Sequence, residues 1–367
     1  MIMSLFNGRI EPGRSVLFWF GFALLLAAAI ALPHFIGRYA LLNLNSFLLM
    51  TFLAIGLALL WGFCGILSLG QSAFFGIGGY AYGVIAINLA DVSGQTGLAF
   101  AGAVITAVIL ALVLSWVIFY GHLRGVYVSI ITLVVTLLIE TFLNQTAGPQ
   151  WTIGAASLGG NNGLGRFSGA IQELPVLQLG AGESAILLVG ASQSFFYVTL
   201  ALIVIVYLGL RLLVNSRFGI ALTAVREDPD RTEMLGYDVR LLQTAAFCIA
   251  AALAAVSGIL YVSWGNFITP SVFGVTSNIL PVIWVAVAGR RSLAAAVLGA
   301  VALQWGSQAL ALQGEYALVV QGALLVIAVL LLPEGLISIG EVASRWTRRL
   351  SGRGYAPAAV EDADNAS

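Results

Sequence analysis

Apolar runs long enough to cross a bilayer follow one another along nearly the whole chain, and this repetition leaves few folds open to it. A span needs about 20 apolar residues. Such runs are read at 15–32, 40–62, 72–90, 97–119, 125–143, 194–213, 242–264, 275–289, 293–312 and 316–332. Backbone N–H and C=O groups in hydrocarbon must be paired within their own segment, so these runs predict helices. The expected fold is all-α and polytopic, with about ten transmembrane segments bathed in membrane lipid. Charged residues make up 9% of the chain, too few to coat a soluble surface. Two runs are irregular: the third carries Gly76, Gly78, Gly79 and Gly83, and the eighth is short and broken by Pro281. Breaks of that kind suit segments buried among helices or lining a cavity.

Every basic residue other than the two histidines is an arginine, and their placement tests the orientation. With the N-terminus inside, the inner segments hold Arg9, Arg14, Arg124, Arg211, Arg217, Arg226, Arg231, Arg240, Arg290, Arg291, Arg345, Arg348, Arg349 and Arg353, while Arg38 and Arg166 fall outside. Arginines collect on the cytoplasmic side, so the expectation is N-in and C-in. Residues 1–340 then form a single transmembrane domain with a cytoplasmic loop at 211–241 and an outer loop at 144–193. Residues 341–367 follow as a cytoplasmic tail, partly disordered. Ala29-Ile30-Ala31 superficially resembles a signal cleavage site, but an apolar run of about 18 residues exceeds the usual signal core, so the first span is expected to be retained.

Composition also closes off whole chemistries. Without lysine there is no Walker A loop and no Schiff base, so any ATP hydrolysis belongs to another chain. A net charge of zero argues against a nucleic-acid partner. Cys64 and Cys248 lie in apolar runs, where a thiol acts as a small hydrophobe. His34 and His122 have no further ligand at metal spacing, and no cofactor is expected. No nucleophile and base are grouped, so the chain is not expected to be an enzyme.

The polar features that remain are few. The island Arg211 to Arg240 carries balanced charge and belongs at a solvent side. Within it Asp228 is placed to cap a helix, Pro229 fits the first helical position, residues 230–235 make a short helix, and Gly236 ends it. In the long outer loop, Gly160, Asn161, Asn162 and Gly163 allow tight turns, and a loop of that length is expected to have a role. Gln71 and Ser72 open the Gly-rich third run, where free N–H donors and neutral side chains suit a small polar solute or simply cap the helix. Glu140 is the one carboxylate well within a span, close to the exit at Asn144; an interface role stands beside substrate contact.

The stretch SRFGIALTAVREDPDRTEMLGYDV (Ser216 to Val239) resembles the coupling-loop region of ABC importer permeases of the branched-chain amino acid, urea and short-chain amide family. Further resemblances are GILSLGQSAFFGIGGYAYG (Gly65 to Gly83), LRGVYVSIITL (Leu123 to Leu133), GGNNGL (Gly159 to Leu164) and VIWVAVAGRRSLAAAVLGA (Val282 to Ala300). They cover about 50 to 340, in the family's order, and look like its LivM-type or urea-transporter second permease subunit. The resemblance implies a multi-pass protein of the bacterial inner membrane. It would pair with a second permease, two cytoplasmic ATPase subunits and a periplasmic solute-binding protein. It also implies that Arg226, Glu227, Asp228, Asp230, Arg231 and Glu233 set the register on an ATPase groove filled by Met234 and Leu235. Gly314 to Leu336 looks more like the urea and amide branch. That branch commonly has a carboxylate where this chain has Asn278 and Pro281, so both substrates stay open, with Gln71, Ser72, Glu140, Asn144 and Asn278 as pathway candidates. The alternative class is a secondary transporter or channel for a small neutral solute. It would be expected to carry more intramembrane acids than Glu140, and it would work without a co-expressed ATPase.

Overall fold

The computed structural model describes residues 10–11, 16–90, 92, 95–165, 174–179 and 186–311. The expected tenth span at 316–332 and the tail at 341–367 lie outside the described residues, as do Arg9, Arg14, Arg166 and the four arginines beyond residue 340.

Among the described residues the chain forms eleven helices. They are α1 (Val16–Ala31), α2 (Arg38–Leu57), α3 (Gln71–Asn88), α4 (Gln95–Ser115), α5 (Val126–Asn144), α6 (Gln193–Asn215), α7 (Arg217–Glu227), α8 (Pro229–Met234), α9 (Val239–Gly265), α10 (Val275–Ala288) and α11 (Leu293–Ala311). π-Helical turns at Ala58–Phe63 and Trp116–Tyr120 extend α2 and α4. By length and apolar character six helices can cross a membrane, those containing α1, α2, α4, α5, α6 and α9, or up to seven if α10 and α11 count as one broken span.

This differs from the ten expected segments at two places. α3 is not among the six; it begins inside the bundle, with Gln71 and Ser72 each 1% exposed. α10 and α11 form a pair bent by 118° rather than two independent spans. At 14 residues α10 is about 21 Å long, short of a hydrocarbon core of about 30 Å.

Small residues turned inward hold the bundle together. On α4, Ala99, Ala103, Ala107, Ala111 and Ser115 recur every fourth position and are fully buried, while Leu98, Ile105, Ile109 and Leu112 on the other faces are exposed. A four-residue period keeps the stripe on one side of the helix. Lipid tails are as apolar as leucine, so close backbone approach rather than burial of bulk drives such packing. α3 and α9 meet in the same way: a Cβ on Gly258 would lie 1.9 Å from the Phe75 carbonyl oxygen, and one on Gly78 would lie 2.6 Å from the Ala255 Cα.

The fold is not purely helical. Short antiparallel ribbons join β1 (Thr152–Ile153) to β2 (Ala156–Ser157), β3 (Leu164–Gly165) to β6 (Phe267–Ile268), and β4 (Gln178–Leu179) to β5 (Ile186–Leu187). The described parts of the long loop are therefore a packed cap over one end of the bundle. Asn88 fastens it, donating to the Ile153 carbonyl and accepting from the Ala155 N–H, both at 2.8 Å; Tyr82 donates to the Pro175 carbonyl at 2.9 Å.

Candidate functional site

Two features gather the polar residues singled out in the sequence: an arm built from α7 and α8, and a cavity where α3 meets α10.

The arm leaves α6 at Ser216, whose hydroxyl accepts from the Phe218 N–H at 3.2 Å and starts α7. α7 buries Gly219, Ala221, Leu222 and Val225 against the bundle. The short helix expected at 230–235 is present as α8, and its ends are built from the residues the sequence marked. The Asp228 carboxylate accepts from the Arg231 N–H at 3.0 Å, and Pro229 occupies the first position. Gly236 takes φ +87, with Gly236 N–H donating to Glu233 O at 2.9 Å and Tyr237 N–H to Thr232 O at 3.4 Å. That pair of reversed bonds is the glycine-terminated helix end known as the Schellman motif.

Five of the six charges that the resemblance assigns to a partner's groove also make contacts within this chain. Arg226 donates to the Gly62 carbonyl at the end of α2 at 2.5 Å and to the neighbouring Glu227 carboxylate. Asp230 pairs with Arg124, from the α4–α5 connection, at 2.8 Å, and Asp228 pairs with Arg231 at 3.0 Å. Arg240 meets the His122 ring at 3.0 Å. The Arg226 guanidinium, by hydrogen bond and then by charge, holds the Glu227 carboxyl below the usual carboxylate range. Exposed pairs of this kind contribute little stability singly; several together fix an angle. Glu233, Met234 (86% exposed) and Leu235 (75%) stand outward beside them.

Arg211, read in the sequence as the edge of a solvent-side island, is fully buried on α6. It donates to the Tyr207 hydroxyl at 2.9 Å and lies 4.8 Å and 5.1 Å from the rings of Phe18 and Trp19. The tyrosine four residues earlier, one helical turn away, was the available sequence signal.

At the cavity, Asn278 of α10 is buried and faces two ways. Its Nδ2 donates to the carbonyls of Phe273 and Gly274 at 3.0 Å each, and its Oδ1 accepts from the Ser72 N–H in the first turn of α3 at 3.3 Å. It clips together the beginnings of two helices that both start within the protein. Beside them is a cavity of about 200 Å³ lined by Ser72, Ser271 and Ser277 together with Met50, Leu53, Phe75, Leu280 and Trp284. Gln71 is buried with neither side-chain polar atom hydrogen-bonded among the described residues, and it does not line this cavity. Glu140 is half-buried near the start of α10: a Cβ on Gly274 would lie 3.4 Å from its carboxylate. Asn144 is exposed at the end of α5, away from the cavity lining.

Gly160, Asn161 and Asn162 form a single 3₁₀ turn, and Gly163 (φ +74) follows it so close to β6 that a Cβ would lie 2.0 Å from the Ile268 carbonyl oxygen. Asn161 and Asn162 are exposed, so the motif's work is to seat the loop on the strand that leads into α10.

A bundle of membrane-crossing helices with two short helices starting inside it and a braced, apolar-tipped arm has the build of a transport permease. The family comparison agrees: residues 39–329 match the branched-chain amino acid transport system / permease component family, and the chain belongs to it. It is 25% identical over 330 residues to the high-affinity branched-chain amino acid transport system permease protein LivM of Escherichia coli (strain K12), covering 85% of this chain and 73% of that one. To the protein of the same name from Salmonella typhimurium (strain LT2) it is 26% identical over 325 residues, with the same coverage. No solved structure matches the chain.

Proposed function

We propose that this chain is the path-forming permease subunit of an ATP-driven importer for branched-chain amino acids in the bacterial inner membrane. It pairs with a second permease, receives solute from a periplasmic binding protein on the side of the ribbon cap, and engages two cytoplasmic ATPase subunits through α8. The observation that carries this reading is the arm. α8 is capped at both ends, braced at its base by Arg124 and Arg226, and presents Met234 and Leu235 to solvent. Exposed large apolar side chains at a rigid tip are what a partner's groove takes up.

In this reading the termini are cytoplasmic, and the described helices belong to a ten-segment topology in which α3 and α10 are partial crossings. Residues 1–340 form one permease domain and 341–367 a tail. Glu227, Glu233 and Arg231 add charge complementarity at the arm, while Ser72 and the cavity beside Asn278 lie on the path. The cavity's hydroxyls and its aliphatic and aromatic lining suit a solute that is polar at one end and apolar at the other. That favours a branched-chain amino acid over urea, and both curated relatives carry branched-chain amino acids in their names.

The test is uptake into proteoliposomes holding the full complex, with ATP trapped inside and binding protein outside, using leucine and urea in separate runs. ATP-dependent leucine uptake is the expected outcome. Urea uptake alone would move the chain to the amide branch, and uptake of either without ATP would overturn the ATP-driven reading.

A further inference from the structure

The connection between α10 and α11, Gly289 to Ser292, is gripped from two sides by residues that also hold the arm. We infer that this hinge is the relay through which arm movement reaches the cavity, and that Gly62 and Glu11 are the positioning residues that tie the two together. The inference rests on the coupling role proposed for the arm.

The first grip is at Gly62. Its carbonyl accepts from Arg226 in the last turn of α7, and its Cα faces the hinge so closely that a Cβ would lie 1.8 Å from the Arg290 carbonyl oxygen. The Arg290 guanidinium lies 5.5 Å from the neighbouring Trp61 ring. Gly62, in the π-helical turn that extends α2, thus has the Arg226 side chain of the arm on one side and the hinge backbone on the other, with no side chain between it and the hinge.

The second grip is at Glu11. Asn215, the last residue of α6 before the arm departs, accepts from the Glu11 N–H at 3.3 Å. The Glu11 carboxylate in turn accepts from the Ser292 hydroxyl at 3.1 Å and from the Leu293 N–H at 2.9 Å, with Ala294 N–H at 3.4 Å. Glu11 therefore caps the first turn of α11, satisfying donors that a helix start leaves free. The base of the arm holds that cap in place.

Beyond the hinge, α10 presents Ser277, Leu280 and Trp284 to the cavity, and it packs so closely on α11 that a Cβ on Gly299 would lie 2.1 Å from the Ala288 Cβ. A short helix, held at its hinge by the arm and facing the cavity along its length, behaves as a lever. Adjacency alone does not establish coupling; an element whose position both ends bias does.

The experiment compares uptake per ATP hydrolysed in complexes carrying Gly62→Ala, Glu11→Ala, Glu11→Gln and the pair Met234→Asp with Leu235→Asp. Gly62→Ala and Glu11→Ala should keep the ATPase subunits and their hydrolysis but lower uptake per ATP by about threefold to thirtyfold. Glu11→Gln, which retains an acceptor for the α11 turn, should restore most of it. The Met234 and Leu235 pair should lose the ATPase subunits on purification. Unchanged uptake per ATP in Gly62→Ala and Glu11→Ala would overturn the relay while leaving the arm reading intact. Equal loss in Glu11→Gln and Glu11→Ala would overturn the capping role. A Met234 and Leu235 variant that still assembles and transports would overturn the arm reading and the relay with it. If Gly62→Ala fails to assemble, the two Glu11 variants decide.

Discussion

Glu11 is 1% exposed, and burial pushes its carboxyl up from the ordinary 4.5 to about 7, against the lowering effect of the Ser292 and backbone hydrogen bonds and of the Arg211 charge. Its pKa is higher when docked than when free, so docking of Glu11 takes up a proton. The associated stability is fully present below about pH 4.5 and is lost as pH rises through about 7. Arg211 and Tyr207 of α6 and Ser292 of the hinge are the groups that face it. Amide exchange in the first turn of α11 should therefore quicken between pH 6 and pH 8, once corrected for the intrinsic pH dependence of exchange. Glu11→Gln, which cannot ionise, should remove the difference. Gly258 makes a second demand at this scale. A methyl there meets the Phe75 carbonyl of α3, so Gly258→Ala should destabilise the bundle by about 1–3 kcal/mol, read as a lower melting temperature in detergent.

α8 is the element most fully legible in the sequence, because its beginning and end are set by local chemistry: a capping Asp, a Pro that needs no N–H, and a Gly that can take φ +87. Asp228→Ala should cost about 1 kcal/mol, and Gly236→Ala about 1–2 kcal/mol for the left-handed backbone. Both should appear as faster amide exchange confined to 229–236. The spans were legible for the same reason, since length and apolarity are local properties. What the sequence concealed was decided by contacts between distant residues. Glu11 sits in a polar N-terminal stretch with no pattern to link it to Ser292. Gly62 looks like any glycine in an apolar run until Arg226 and Arg290 are seen on either side of it. Asn278 is legible only as a pathway candidate; that its two hydrogen-bonding ends join α3 to the turn before α10 is set by a contact across more than two hundred residues. Pro281 and the α3 glycines did signal irregular segments, though not that α10 would fold back on α11.

For the whole molecule, the proposed orientation predicts which faces each compartment sees. Single cysteines at Asn161 on the ribbon cap and at Glu233 on the arm, both exposed, should react with a membrane-impermeant maleimide from opposite sides of the membrane. The buried Cys64 and half-buried Cys248 give a low background. Labelling of both sites from one side would refute the topology. The β3–β6 ribbon, finally, sets an order of events in biogenesis. Leu164 pairs with Ile268, and α6 through α9 lie between them in the chain. The ribbon cannot close until the translocon has released α9, so the nascent loop waits with Leu164 unprotected while four further helices are synthesised. Chains stalled before residue 267 should be open to proteolysis at that loop, and completed ones closed to it.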